Sequence, residues 1–471
     1  MHWIDTLVVA GYLVLTFAVG LYLTRKVKNS NDYFLAGRRL PFWAIGMSLV
    51  VSDIGALEMI GGTGGAFSHG IVQANYEWVG CVPAMIVGGL LFVPLFWRLG
   101  IHSVPEFLGD RFGGSVRTIL AFVWLLFLGA AVGVFFNASA EMFVAVLGWE
   151  RWFLLLLIAV LVTVYTVGGG LAAVVYTDVI QCTVLFVGGL ILAVVGVMAV
   201  GGPGELFARL PDSHGRLLLT AEENPEFPWT GVLFGLGLVL SPAYWLGNQA
   251  IVQRTLGAKS EWDAKASMLF GAFLKTFVPL AFVLPGLLGL QLLGATAQDN
   301  PDGVYPLLIQ ELLPVGLRGV LYAAFLAALM SSIDSYANSA ATIFTRDLYY
   351  RVLRGKAGHD LLVGRLAALG TIVLGLALAP LSKGNIYESF QTILTLFQGP
   401  SLVLILAGVL WPRANEAGGL ATLTLGLPTA VIAHFAFGIH FLHVALLSFL
   451  VSLVGMVAGT LFSKKPGGPV R

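Results

Sequence analysis

A small group of polar residues stands in the middle of an otherwise apolar stretch of the chain. The stretch runs from Gly319 to Thr345, and the group consists of Ser331, Ser332, Asp334 and Ser335. Carboxylates and hydroxyls at membrane depth are costly, and in membrane helices they mark functional sites. Oxygen atoms of these kinds can replace the water shell of a small cation. The group therefore predicts that the protein handles a small, oxygen-preferring cation.

The composition places this stretch in a membrane. The 471 residues are 58% hydrophobic and 11% charged, with a mean hydropathy of +0.88, whereas soluble domains are about 25% charged. The chain is therefore predicted to be an all-α polytopic membrane protein surrounded by lipid bilayer. A net charge of +1 gives no reason to expect a nucleic-acid partner. No glycine-rich phosphate loop with a lysine is present, which argues against direct coupling to ATP.

Runs of about 20 apolar residues predict about 13 transmembrane helices. Their approximate limits are 4–24, 42–68, 74–97, 118–147, 152–172, 177–200, 230–252, 266–291, 308–345, 363–382, 386–411, 418–437 and 440–462. The first is predicted to be a retained anchor rather than a signal peptide, because basic residues follow it and none precedes it.

Lys and Arg are concentrated in alternate connections between these spans. Three such connections are residues 25–39, residues 346–365, and the loop after the seventh predicted span, to which Arg254, Lys259 and Lys265 are assigned. Because basic loops stay on the cytoplasmic side, we expect the N-terminus outside, the C-terminus in the cytoplasm, and a location in the plasma (inner) membrane. The longest polar connection, residues 201–229, then forms an external, acidic cap.

Two of the predicted spans carry residues that interrupt helices. The second contains Ser52, Asp53 and Gly55 followed by a glycine-rich run at 61–65, and the seventh contains Ser241-Pro242 and Gly247-Asn248. Matching broken helices in two halves are typical of inverted-repeat transporters that bind their cargo at mid-membrane. The alternative is that the glycines only allow helices to pack closely.

Several motifs follow one another along the chain in a familiar order. They are Asn31-Asp32-Tyr33-Phe34-Leu35-Ala36-Gly37-Arg38, Tyr76-Glu77-Trp78, Val104-Pro105-Glu106-Phe107-Leu108, Gly169-Gly170-Leu171-Ala172-Ala173-Val174 with Thr177-Asp178, Gln253-Arg254-Thr255-Leu256, and Ile343-Phe344-Thr345-Arg346-Asp347. In these motifs the chain resembles the sodium/solute symporters, the family that includes the sodium/glucose cotransporters. The resemblance covers nearly the whole chain.

The resemblance implies one integral membrane domain, residues 1–471, with a LeuT-type core of ten helices in two inverted repeats of five. The repeats would span about 42–201 and 230–411, and the helices at 4–24, 418–437 and 440–462 would be peripheral. It also implies a first sodium site formed by the carbonyls of Val51 and Ile54 together with Ala328, Ser331 and Ser332. Residues 328, 331 and 332 share one helical face. The alternative is that these serines only bond back to the preceding turn.

Some relatives have a second sodium site, and the matching positions here are Asp178, Ser331, Asp334 and Ser335. Asp334 stands where a hydroxyl or small residue is usual, so the site is predicted to bind its ion more strongly. The alternative for Asp178 is a helix-end residue at the cytoplasmic side. Asp53 is an additional candidate cation ligand, or else a cap for amides freed at the helix break.

The positions that hold sugars in relatives correspond to Glu77, Tyr244, Lys275 and Gln391, and their residue types suit a polyol. Glu58 and Ser241 also belong to this candidate substrate site, but depart from the sugar-carrier pattern. Lys275 has the alternative role of counter-ion to Glu58 or Glu77. We therefore expect sodium-coupled import of a sugar or polyol by alternating access. Alternatives are a symporter of amino acids or organic acids, an intramembrane enzyme using Asp178 and Asp334 as an acid pair, and a transporter-like sensor.

Overall fold

The computed structural model describes residues 2–463 except 56, 357 and 382–385. In the first part of the chain the α-helices are α1 (Trp3–Thr24), α2 (Ser30–Leu35), α3 (Phe42–Asp53), α4 (Thr63–His69), α5 (Val82–Val87), α6 (Val93–Leu99), α7 (Val104–Phe112), α8 (Gly114–Leu147), α9 (Arg151–Ala199) and α10 (Pro203–Ala208). In the second part they are α11 (Ser241–Gly247), α12 (Gln249–Leu256), α13 (Glu261–Lys275), α14 (Val278–Leu292), α15 (Val304–Leu312), α16 (Leu317–Ile343), α17 (Asp360–Leu378), α18 (Ile386–Leu410), α19 (Glu416–Phe435) and α20 (Phe441–Phe462).

Short segments with wider or tighter helical turns continue several of these helices. The wider, π-type turns are Glu58–Gly62, Tyr76–Cys81, Gly88–Phe92, Gly231–Leu240 and Phe344–Tyr349. The tighter, 3-10 turns are Ala36–Arg38, Gly70–Ala74, Asp212–Gly215, Gly294–Ala297, Pro301–Gly303 and Ala379–Leu381. Two of the five π-type turns, Glu58–Gly62 and Gly231–Leu240, lie in the interrupted spans, and such turns are frequent at functional sites.

Within the described residues, 10 helices are long and apolar enough to cross a membrane, and a bent pair makes an eleventh. The sequence predicts about 13 spans, and the helix limits differ from the predicted ones at two places. The predicted spans 152–172 and 177–200 join in the single helix α9, whose 49 residues kink at Gly170. The predicted span 42–68 is divided in two, because α3 ends at Asp53 and helical structure resumes at Glu58.

Gly170 allows the kink in α9. Its φ of +58° and ψ of −162° lie in a region that essentially only glycine occupies. A Cβ placed there would lie 2.5 Å from the backbone oxygen of Tyr33. The kink therefore requires glycine at this position, because any larger side chain would be strained and would clash with Tyr33.

We expect Gly170→Ala to lower the midpoint of thermal unfolding by several degrees, because a strained backbone costs about 1–3 kcal/mol before the clash with Tyr33 is added. Thermal denaturation of the purified protein in detergent measures it. Gly370→Ala in α17 is the matched control, since nothing lies within 4 Å of a Cβ there. Equal midpoints for the two variants would contradict the role of Gly170.

Helix α16 runs through the centre of the molecule. All its residues from Leu321 to Ile343 are buried, and it packs against α1, α3, α8, α9 and α17. The polar group at 331–335 is therefore shielded from lipid and faces other helices. A helix buried on every side by neighbours is the setting in which such residues can build a site.

Candidate cation and solute sites

The break after α3 frees two backbone carbonyls. In a continuous helix the Gly55 amide would bond to the Val51 carbonyl, but it donates to the Asp53 carbonyl at 3.0 Å and to Glu58 Oε2 at 2.8 Å. The Glu58 amide likewise donates to the Gly55 carbonyl at 3.2 Å instead of to Ile54. Val51 and Ile54 thus lose their helical partners, and both residues are buried. Their carbonyl oxygens are the two backbone ligands predicted for the first sodium site.

The broken segment faces the serines of α16. A Cβ on Gly55 would lie 2.8 Å from Ser332 Oγ, and Ser52 Oγ lies 3.0 Å from Ser331 Oγ. Ser332 donates to the Ala328 carbonyl at 3.0 Å, which is the back-bond of the alternative interpretation. A hydroxyl that donates its proton in this way keeps lone pairs for a cation. The structure thus places Ala328, Ser331 and Ser332 beside the broken segment that carries Val51 and Ile54.

The residues predicted for the second sodium site also come together, but around a guanidinium. Asp178 Oδ2 accepts from Ser48 Oγ at 2.5 Å and lies 3.4 Å from Arg254 Nη2. Arg254 also donates to Ser48 at 2.7 Å, to Ser52 at 2.6 Å and to Ser335. Ser335 in turn donates to Asp334 Oδ1 at 3.1 Å. On this side of Asp178, the position expected for a cation holds the Arg254 side chain.

The assignment of Arg254 to a cytoplasmic loop is wrong. The chain bends by 49° between α11 and α12, and the Asn248 side chain caps α12 by accepting from the Ala250 amide at 2.9 Å. The helix then continues to Leu256 and keeps Arg254 inside, with 1% of the residue exposed. A guanidinium so deeply buried requires a carboxylate partner, and Asp178 supplies it. Asp178 is accordingly a fully buried partner in an ion pair and not a helix-end residue.

A cavity of about 470 Å³, measured with its open mouth, lies beside the two helix breaks. Its lining contains five of the six predicted substrate residues, namely Glu58, Glu77, Ser241, Tyr244 and Gln391. The rest of the lining is Asp53, Tyr76, Cys81, Leu236, Leu240, Trp245, Phe390 and Leu394.

Lys275, the sixth predicted residue, lies behind this lining. Its ammonium forms an ion pair with Asp53 and another with Glu77 Oε1 at 2.9 Å. The sequence suggested Glu58 or Glu77 as the partner of Lys275. The structure shows Glu77, and the second partner is Asp53 rather than Glu58. Asp53, Glu77 and Cys81 also form a cluster of metal-ligand types, but the ammonium already lies against both carboxylates. Glu58 instead bonds to the Gly55 amide.

The chain matches the model of the sodium:solute symporter family over residues 33–426. It is 35% identical to the sodium/glucose cotransporter of Vibrio parahaemolyticus, over 92% of this chain and 86% of that protein. It is 32% identical to the human sodium/myo-inositol cotransporter, over 91% of this chain and 67% of that protein. The chain belongs to the sodium:solute symporter family. It is a multi-pass membrane transporter that couples sodium to a small polar solute.

Solved structures show that this symporter has the LeuT-type fold that the sequence implied. A sodium-coupled sialic acid symporter in a substrate-bound, outward-open state superposes with a TM-score of 0.86 at 23% identity, covering 99% of both chains. The transporter MhsT in complex with L-phenylalanine gives a TM-score of 0.56 at 14% identity, over 89% of this chain and 97% of that one. At these identities the likeness concerns the fold alone.

The connection predicted to cap the symporter folds over the pocket side of the molecule. Phe227 packs edge-on against Tyr76, which lines the cavity, with ring centroids 5.9 Å apart. His69 Nε2 lies 2.9 Å from Glu226, and this hydrogen bond lowers the pKa of the Glu226 carboxyl. The Asn75 amide donates to the Leu217 carbonyl at 2.5 Å. The cap is therefore attached to the segment that leads into the pocket.

Proposed function

We propose that this symporter imports a sugar or polyol by sodium-coupled alternating access, through the cavity between the two broken helices. The observation that carries the solute class is the arrangement around Lys275. Asp53 and Glu77 hold the ammonium from two sides, while Glu58, Ser241 and Gln391 line the open space. Carboxylate, hydroxyl and amide groups offer many acceptors and some donors, which suits a solute ringed with hydroxyls.

The same arrangement disfavours the alternative solutes. An organic acid would enter a cavity lined by three acidic side chains, Asp53, Glu58 and Glu77, and like charges that meet in a desolvated site repel strongly. An amino acid would need a cation for its carboxylate, and the ammonium of Lys275 is already shared by two partners. The relatives named for glucose and myo-inositol support a polyhydroxylated solute.

For the coupling ion we propose the first sodium site, made by the carbonyls of Val51 and Ile54 with Ala328, Ser331 and Ser332. The freed carbonyls beside the serines support it, because sodium takes oxygen ligands in place of water. We propose transport without catalysis, since Asp178 is ion-paired with Arg254. Asp53 would act through Lys275 at the edge of the solute cavity.

We also propose that the protein lies in the plasma (inner) membrane with its N-terminus outside and its C-terminus in the cytoplasm. The cap over the cavity then faces the exterior, where solute enters. One sodium ion crossing a potential of about 100 mV releases about 2.3 kcal/mol. This corresponds to roughly fiftyfold accumulation of solute before the sodium gradient is added.

Uptake into proteoliposomes tests the proposal. With an inward sodium gradient, we expect labelled glucose or myo-inositol to accumulate at least tenfold faster than with potassium. An excess of unlabelled sugar or polyol should block this uptake, and acidic or amino-acid solutes should not. Liposomes without protein are the control. Sodium-driven uptake of a carboxylate or amino acid, with none of any sugar or polyol, would contradict the solute class, and a product formed from lipid would contradict transport.

A further inference from the structure

An open apolar groove of about 950 Å³, measured with its mouth, shares no lining residue with the solute cavity. One wall is formed by residues 118–123 of α8, and the other by residues 344–353, which follow α16. Thr118 donates its hydroxyl to the Gly114 carbonyl at 3.0 Å, so the groove presents apolar surface. Phe122 and Leu353 in the two walls are more than half exposed. The groove therefore opens toward the surroundings of the protein.

One end of the groove carries an arginine that no carboxylate neutralises. Arg351 adjoins the lining residue Val352, and its guanidinium lies beside the first residue of α8, because a Cβ on Gly114 would lie 3.1 Å from Arg351 Cζ. Glu416 approaches the preceding Gly113. Among the described residues, however, Arg351 forms neither a hydrogen bond nor an ion pair. Its charge is available to an anion at this end of the groove.

The same end of the groove lies where two membrane spans end. The apolar spans Gly114–Val144 and Leu317–Tyr349 both have a limit here, so this end stands at the level of lipid headgroups. Arg351, Arg354 and Lys356 follow within eight residues of Leu348, all three side chains are exposed, and residues 348–359 contain no acidic residue. The headgroup level of the groove is therefore positively charged.

Lipid tails are as apolar as the groove, so any tail can enter it, and the charged end must decide which lipid is retained. Basic pockets between transmembrane helices bind acidic headgroups, and hydrogen bonds from a guanidinium to a phosphate are charge-assisted. We propose that this groove binds one anionic phospholipid, with an acyl chain between α8 and residues 344–353 and with the headgroup phosphate at Arg351.

The lipid lies against a contact that joins two core helices. Arg117 Nε donates to Asp347 Oδ1 at 2.6 Å, and these two residues directly precede the lining residues Thr118 and Leu348. A chain in the groove thus packs on both sides of the junction between α8 and the segment after α16. Placing the lipid in the cytoplasmic leaflet rests on the proposed orientation of the protein, whereas binding itself does not.

Native mass spectrometry of the purified protein counts the lipids that each molecule retains. With phosphatidylglycerol and phosphatidylcholine of the same chain length as probes, we expect one phosphatidylglycerol to be retained at an about tenfold lower concentration than phosphatidylcholine. Arg351→Gln should remove this preference. Arg25→Gln, which removes an exposed arginine at the end of α1, is the matched control and should keep it. Val352→Trp narrows the groove and should weaken the retention of both lipids.

Equal retention of the two lipids by the wild type would overturn the inference, and so would an equal loss of preference in Arg351→Gln and Arg25→Gln. Glycerol 1-phosphate has the phosphate but no chains, and should not displace phosphatidylglycerol; displacement would identify a soluble anion as the ligand instead. Wild-type retention by Val352→Trp would place the chain outside the groove. Thermal unfolding without added lipid checks that the variants are folded. None of these measurements needs sodium or solute, so their failure and that of the proposed transport are distinguishable.

Discussion

Lys275→Met is expected to reduce sodium-driven solute uptake by about a hundredfold or more. Lys275 is fully buried between Asp53 and Glu77, and removing one member of a buried ion pair costs about 3–5 kcal/mol because the remaining charge is left unpaired. Here two carboxylates at the edge of the solute cavity lose their common partner. The measurement is the initial rate of uptake into proteoliposomes, normalised to the amount of folded protein inserted.

Two further variants test whether the loss of uptake in Lys275→Met comes from the unpaired carboxylates. Lys259→Met removes a lysine that is about half exposed and lies 3.6 Å from Asp263. Asp263 keeps its hydrogen bonds from the Phe42 amide and from Ser260, and neither Lys259 nor Asp263 lines the cavity, so uptake should stay near the wild-type rate. Adding Asp53→Asn and Glu77→Gln to Lys275→Met removes the unpaired charges, and should recover thermal stability without recovering uptake. A wild-type rate of uptake by Lys275→Met would show that the ion pairs of Lys275 with Asp53 and Glu77 do not shape the solute site.

Ser332→Ala is expected to raise the sodium concentration for half-maximal uptake by about tenfold. The variant removes a hydroxyl oxygen that lies beside Gly55 in the α3 break, while its small side chain fits the same space. The affinity for solute at saturating sodium should change much less. The measurement is the initial rate of uptake as a function of sodium, with choline replacing it to keep ionic strength constant.

Ser339→Ala is the matched control for this experiment. Ser339 is also buried in α16, and it donates to the Ser335 carbonyl at 2.7 Å, as Ser332 donates to Ala328. If the only task of Ser332 is that back-bond, the two variants should behave alike. An equal shift in both, or none in Ser332→Ala, would remove this serine from the sodium site.

The sequence alone indicated the parts of the candidate site that depend on local chemistry. Polar residues in an apolar span and glycines beside Ser52 are visible in the sequence because each is costly where it stands, and the structure places Ser331 and Ser332 against that break. The six substrate residues came from the resemblance, and five of them line the cavity.

The partners of the charged residues could not be predicted in the same way. Rules for loop charge treat Arg254 as a cytoplasmic residue, and only the bend at Asn248 shows that it turns inward to Asp178. The pairing of Lys275 with Asp53 depends on where α3 ends, and a shift of one residue would present Ile54 instead.

The hydrogen bond from the Gly55 amide to Glu58 has a thermodynamic consequence. Glu58 lines the cavity between the helix breaks, and Gly55 adjoins Ser332 and follows the Ile54 carbonyl, so this bond joins the proposed solute site to the proposed sodium site. A solute that engages Glu58 alters the balance of forces on the backbone that would hold sodium. Heterotropic effects of this kind are reciprocal. The factor by which bound sodium raises the affinity for solute must equal the factor by which bound solute raises the affinity for sodium.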